Sequence, residues 1–151
     1  MHWLPIRDGD PRGFGLYMRH YSARKSRAGK PHIRFQKSGR RWMGNGEHIG
    51  LLTQDGTATF AWRKQVYRKD GQTGVECSIF RNEGPLLSSC LIREAEKWAY
   101  RRWPNERLFS YCLPTVARGG HRLIRWGQCF LEAGWLPVAN DGDKMLWEKV
   151  P

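Results

Sequence analysis

The sequence predicts a mixed α/β (α+β) fold, a mainly antiparallel twisted sheet with helices on its faces. Period-two apolar stretches separated by turn residues fill residues 46 to 80, the pattern of an antiparallel meander. Beyond residue 87, two stretches with helical period alternate with further strands, and the first helix joins two strands, reading as a parallel βαβ unit.

Gly13 to Ala23 reads as a short helix with Phe14, Tyr17, Met18 and Tyr21 on one face. A basic loop follows at about residues 22–45, punctuated by Gly and Pro, and loops of that length are functional or disordered. Gly46 to Thr53 and Thr57 to Tyr67 flank Gln54-Asp55-Gly56, a hairpin signal. A second turn, KDGQTG, leads into Val75 to Phe80, with Val75, Cys77 and Ile79 on one face and Glu76, Ser78 and Phe80 on the other. A helix starts at Ser88. Leu91, Ile92, Ala95, Trp98 and Ala99 share its apolar face, and Arg101, Arg102 and Pro104 stop it. Arg107 to Leu113 is the next strand. Leu123, Trp126, Phe130 and Ala133 mark a second helix closed by Gly134, and Lys144 to Lys149 is the last strand. With no repeat and no linker, residues 1–151 are expected to form one domain.

The formal charge is +12, from 26 Lys and Arg against 14 Asp and Glu. A polyanion is the simplest partner for such a balance, and the distribution sharpens it. No acidic residue lies between Asp10 and Glu47, while Arg12, Arg19, Arg24, Lys25, Arg40 and Arg41 all do. A solvated surface normally mixes signs, so this segment is expected to face nucleic acid, with Trp42 stacking on a base beside Arg40 and Arg41. Arg118, His121, Arg122 and Arg125 form a second basic cluster, a candidate second backbone contact. No apolar run approaches the ~20 residues that span a bilayer, so no membrane partner is expected. The start of the chain lacks the apolar core of a signal peptide. Cys77, Cys90, Cys112 and Cys129 have no C-x-x-C spacing and lie in apolar stretches, which predicts buried, reduced thiols. Trp98, Trp103, Trp126 and Trp135 fit packing positions, and Tyr111 alternates with Phe109 and Leu113 as a half-buried strand residue.

The helix start at Ser88 and Ser89 carries the chemistry. A first turn leaves unpaired N–H groups that can hold a phosphate, and neither serine is followed by a glutamate at the capping-box position. The serines are also competent simply as N-caps.

From the first hairpin to the last strand, the order of elements resembles the GNAT acyltransferase superfamily. There, a turn of pattern R/Q-x-x-G-x-G/A wraps a pyrophosphate at the helix start. Here Leu86 and Ser88 occupy the glycine positions and Glu83 the basic one. CFLEAGW, Cys129 to Trp135, looks like the family's F-Y-x-x-x-G-F segment, with Phe130 where a tyrosine often serves as general acid. The resemblance implies acetyl-CoA or another acyl-CoA as cofactor, along Phe80 and Arg81 and at Leu87, Ser88 and Ser89. The segments RHYS, FRNE, SSCLIREA, RRWPNERLFSY and CFLEAGW further resemble the Mom-type bacteriophage proteins, which modify adenine in phage DNA and shield it from host restriction.

That resemblance implies double-stranded DNA as partner, the cytoplasm of a bacterial host cell as location, and His20 and Tyr21 in the active site, with iron as a proposed family metal. On residues alone, His20 reads as a surface residue and Tyr21 as packing of the first helix. As site residues, both are competent for proton transfer or metal ligation. Arg81, Asn82 and Glu83 read equally as a turn with a salt bridge or as site residues, in which Asn82 reads a base edge, Arg81 pairs with a phosphate, and Glu83 acts as a base or accepts from an exocyclic amine. The alternatives are a non-catalytic nucleic-acid-binding protein on a degenerate GNAT scaffold, or a conventional GNAT N-acetyltransferase. The first is motivated by Phe130 and the missing glycines.

Overall fold

The computed structural model describes residues 1–20, 41–112, 127–141 and 144–151. In chain order these form β1 (Trp3–Ile6), α1 (Pro11–Met18), β2 (Glu47–Thr53), β3 (Ala58–Lys64), β4 (Val75–Asn82), α2 (Ser88–Arg102), β5 (Leu108–Cys112), α3 (Gln128–Glu132), β6 (Leu136–Asp141) and β7 (Lys144–Lys149). The strands make one seven-stranded sheet in the order β1-β2-β3-β4-β5-β7-β6. Every pairing is antiparallel except β4 with β5, which is parallel, as a crossover through α2 requires. The mixed, mainly antiparallel sheet with flanking helices is therefore the predicted one.

Two strands went unpredicted, β1 and β6. Each carries a proline (Pro5, Pro137) and each is an edge strand, where a missing N–H costs the ladder nothing on the solvent side. α1 begins earlier than the sequence suggests. Pro11 takes its first position, and Asp10 caps it by accepting from the N–H groups of Arg12 (2.9 Å) and Gly13 (3.5 Å). The end predicted for this helix, residues 21–23, lies outside the described residues, as do Leu123 and Trp126 of the second. The β2–β3 turn is the predicted one: Gly56 adopts φ +72°, its N–H donates to Thr53 O at 2.9 Å, and Asp55 Oδ1 accepts from the Thr57 N–H and hydroxyl.

One face of the sheet carries α2 and α3. Leu91, Ile92, Ala95 and Ala99 of α2 pack on Phe60, Trp62, Val75 and Leu108, with Phe130 and Trp135 beside them. Two indoles fix the helix to the sheet, Trp3 Nε1 donating to Leu91 O and Trp62 Nε1 to Ala95 O, both at 2.8 Å. The opposite face is covered by α1 and the segment entering β2, which bury Tyr17, Trp42 and Met43 on Ala61 and Ile79. Trp42 is 1% exposed and stacks on Tyr17 at 5.5 Å, so it is a core residue and presents no ring to a base. The expectation that it contacts nucleic acid is corrected accordingly. The thiols are also more varied than predicted: Cys77 is buried and Cys112 and Cys129 half-buried, but Cys90 is exposed.

The predicted alternation along β4 breaks at Ser78. β3 pairs Ala61 with Ile79 but Trp62 with Cys77, so Ser78 is an extra residue, a β-bulge. Phe80, rather than Ile79, therefore joins Val75 and Cys77 on the α2 face, while Ile79 joins the opposite core.

Candidate active site

The parallel ladder between β4 and β5 holds only at Val75↔Leu108 and Glu76↔Phe109. Immediately beyond lies the Ser78 bulge, which bends β4 away while its antiparallel ladder to β3 continues to Asn82. A side chain makes the last bridge across the gap, Ser110 Oγ donating to Cys77 O at 2.9 Å. Between the parted strands is a cavity of about 750 Å³, within the ~300–1,000 Å³ common for ligand sites. Ser78, Phe80, Arg81 and Asn82 line it from β4, and Ser110, Tyr111 and Cys112 from β5. Strand edges without a partner carry backbone donors and acceptors that an amide-bearing ligand can pair.

The start of α2 closes one end of this cavity. Leu87, not a serine, is the N-cap residue, and Ser88 is the first residue of the helix. Ser88 lines the cavity, whereas the Leu87 side chain is 68% exposed and Ser89 is buried; neither Leu87 nor Ser89 lines it. Of the three predicted cofactor residues at the helix start, then, the side chain of Ser88 alone faces the cavity.

Asn82 holds the turn before the helix in shape. Its Nδ2 donates to Leu86 O (2.7 Å) and to Ser88 Oγ (3.0 Å), and its Oδ1 accepts from the Gly84 N–H at 3.0 Å. Both amide protons are thus committed, which corrects the expectation that Asn82 reads a base edge. It is a positioning residue. Because Ser88 Oγ accepts from Asn82, the hydroxyl proton remains for a ligand. The turn rests on the β2–β3 hairpin, with the Glu83 N–H donating to Thr57 O (2.9 Å) and a Cβ built on Gly84 falling 2.1 Å from Thr57 Oγ1. Only glycine fits that approach.

Across the cavity, the residues after α1 supply a buried imidazole. His20 is 8% exposed and lines the cavity with Met18 and Arg19, so the surface reading of His20 is corrected. Burial, then the charge of Arg81, pushes its pKa from 6.5 down to about 4. The ring is neutral at pH 7. Glu83 sits apart from the cavity lining. Arg19 grips its carboxylate with Nε and Nη2 (2.7 and 2.9 Å), and Arg81 Nε adds a bond at 3.0 Å. Those hydrogen bonds, Arg19 first, hold the Glu83 carboxyl down to about 2. A carboxylate so stabilised is a poor proton acceptor, which corrects the expectation of Glu83 as base. The same geometry commits Arg19, expected to contact nucleic acid, to an ion pair. Arg41 is exposed; Tyr21, Arg24, Lys25 and Arg40 lie outside the described residues, as does the second basic cluster.

Phe130, 4% exposed, lines the cavity where the resemblance placed a tyrosine. The phenol in the lining belongs instead to Tyr111, which donates to Asp70 Oδ2 at 3.0 Å. Asp70 is in turn held by Arg68 (2.7 Å), whose hydrogen bond keeps the carboxyl well below its ordinary range. Sequence reasoning placed Tyr111 on the strand but missed Asp70, since KDG reads only as a turn. The half-buried Cys112 and Cys129 thiols also line the cavity, and burial pushes Cys112 up to about 12, so neither is a nucleophile at neutral pH by the usual route of a lowered pKa.

An iron site does not fit what is described. Among the described residues no three His, Cys, Asp or Glu side chains converge to hold a metal ion. His20 also has the Arg81 guanidinium as a charged neighbour, which repels a cation.

Solved structures share this fold. An acyl-CoA N-acyltransferase from Pseudomonas aeruginosa superposes with a TM-score of 0.61 over 98% of both chains, at 15% identity. The fold is that of the GNAT acyltransferases. An aminoglycoside 6'-N-acetyltransferase from Enterococcus faecium matches the same GNAT fold with a TM-score of 0.58, over 99% of this chain and 97% of that one, at 14% identity. A Corynebacterium glutamicum protein described as a histone acetyltransferase and related acetyltransferase gives 0.57 at 13% identity, over 100% of this chain and 97% of that one. No protein-family model matches the chain, and no curated protein matches it in sequence. At such identities the likeness establishes the GNAT fold alone.

Proposed function

We propose that this chain transfers an acyl group from acyl-CoA to the exocyclic amine of a base, adenine first, in double-stranded DNA. One observation carries it: a cavity between parted β4 and β5 has Ser88 of the α2 start in its wall and a neutral imidazole, His20, in its lining. Bound acyl-CoA would supply a thioester, an acyl group activated for attack. This chain would hold the pyrophosphate with the Ser88 hydroxyl and first-turn N–H groups, and the pantetheine amides along the free edge of β4. The reaction forms a C–N bond at the acyl carbon, breaks the C–S bond, and carries one proton net from nitrogen to the departing sulfur.

Charge and pKa support this acceptor. Arg19 and Arg81 stand at the cavity in a chain of net charge +12, which repels an alkylammonium substrate. A His20 with a pKa of about 4 is too weak to deprotonate such an ammonium, but it suits a base amine, already uncharged at neutral pH, which releases its proton only on attack. The base must leave the duplex stack to reach the cavity, at a cost of a few kcal/mol. The Mom-type resemblance supports the same acceptor, and with it protection of phage DNA from restriction inside a bacterial host. No helix among the described residues is long and apolar enough to cross a membrane.

Phe130 favours a second reading, a nucleic-acid-binding protein on a GNAT scaffold without transfer. Mass spectrometry of nucleosides from DNA of expressing cells separates the two. A deoxyadenosine heavier by an acyl-derived group, absent with His20→Gln, is expected. An unchanged nucleoside profile alongside DNA binding selects the second reading.

A further inference from the structure

A second cavity, of about 580 Å³, lies between the edge strand β1, its neighbour β2 and the last turns of α2. Arg7, Asp8, His48, Trp98, Arg101 and Arg102 are in its walls. Their charges are unevenly spent. Arg102 pairs with Glu47 at 2.9 Å, and Asp8 Oδ1 accepts the N–H groups of Trp42 (2.8 Å) and Met43 (3.3 Å). Arg7 and Arg101 are exposed and have no carboxylate within ion-pair distance among the described residues. Arg101 lies over the Trp98 ring, 5.5 Å from its centre, which holds the guanidinium at the groove. The bond from Trp42 to Asp8 also brings the backbone at the exposed Arg41 against this wall, so the end of the acid-free stretch 11–46 docks here.

We propose that this groove binds the phosphate backbone of a polynucleotide through Arg7 and Arg101. The inference rests on the DNA acceptor proposed above and extends it to a contact remote from the chemistry. α2 carries Ser88 at one end and Arg101 near the other, about 20 Å apart at ~1.5 Å per residue. A strand delivering a base to the first cavity therefore has phosphates several nucleotides away for the second. Exposed guanidiniums with no carboxylate partner among the described residues suit backbone contacts that position a polymer, rather than the enclosed recognition of a small anion.

The test is the salt dependence of binding of the full chain to duplex DNA of about 20 base pairs, read by fluorescence anisotropy. Each lost phosphate contact lowers the slope of log K against log salt by ~0.9. Arg7→Ala/Arg101→Ala should flatten it by about 1.8 and weaken binding about thirty-fold at ~0.15 M salt. Both residues are exposed, so the melting temperature should hold. Lys69→Ala/Lys144→Ala removes equal charge from residues that line neither cavity and should leave the slope nearly unchanged. If the arginine variant keeps the wild-type slope, or the lysine variant loses as much, the groove is overturned while the acceptor stands. If the wild type shows no salt-dependent DNA binding, groove and acceptor fall together. If the arginine pair matters only for binding to vesicles of anionic lipid, the groove faces a membrane and the proposal is wrong.

Discussion

Lowering the pH from 7 to 5 should destabilise this protein chiefly through one residue, His20. Its imidazole has a pKa of about 4 in the fold against an ordinary 6.5, because it is buried and lies near Arg81. A depressed histidine pKa means that the unfolded chain takes up the proton first, so stability is full above 6.5 and drains away as pH falls towards 4. At pH 5 the unfolded imidazole is almost wholly protonated and the native one about a tenth, which corresponds to a loss of about 2 kcal/mol from pH 7. For a chain of this length that is a fall in Tm of roughly 4–8 °C. Carboxylates such as Glu83 add to the loss only below about pH 4.5, so the interval from 6.5 to 5 belongs to the histidine. Circular dichroism melts across this interval, compared with His20→Gln, give the test, and NMR titration of the ring reads its pKa directly. The variant should flatten the profile. A ring titrating near 6.5, or a variant with the wild-type slope, would refute both the burial of His20 and its role as a neutral base.

Other perturbations separate positioning, packing and charge. Asn82→Ala removes two donors and an acceptor from the β4–α2 turn, which should cost about 1–3 kcal/mol and weaken acetyl-CoA binding more than the Tm alone explains, as calorimetry on the folded variant would show. Trp42→Ala empties a core position and should destabilise by about 3–5 kcal/mol, while the more conservative Trp42→Phe, where it folds, should bind DNA as the wild type does. Glu83→Gln frees Arg19 and Arg81. It should tighten DNA binding at low salt and leave acyl transfer within a few-fold of the wild type; a transfer rate lower by orders of magnitude would restore Glu83 as the base.

Local patterning made the centre of the fold legible, and tertiary contacts hid the rest. The strand, turn and helix from Val75 to Arg102 follow from apolar period and stop signals, as does the β2–β3 turn. The Ser78 bulge does not, because nothing in VECSIF distinguishes an extra residue from continued alternation, and it moves Phe80 to the α2 face. β1 and β6 were obscured by prolines that edge strands tolerate. Trp42 looked like a ring offered to a base because its neighbours are arginines; only the approach of Tyr17 and Met43 shows that it is core. Ser88 was legible as a helix-start residue, and the structure places it in the cavity wall. The engagement of Asn82 with Leu86 O and Ser88, and the bond from Tyr111 to Asp70 across 41 residues, are not, since neither has a local signature.

Titration calorimetry of the full chain with acetyl-CoA tests the central claim most directly, with Ser88→Asp as the paired variant. The wild type should bind one equivalent saturably, and a carboxylate placed at the α2 start should abolish the heat by repelling the pyrophosphate while leaving the melting temperature nearly unchanged. No heat from the folded wild type, or equal binding by Ser88→Asp, would contradict the assignment of the cavity between β4 and β5 to acyl-CoA.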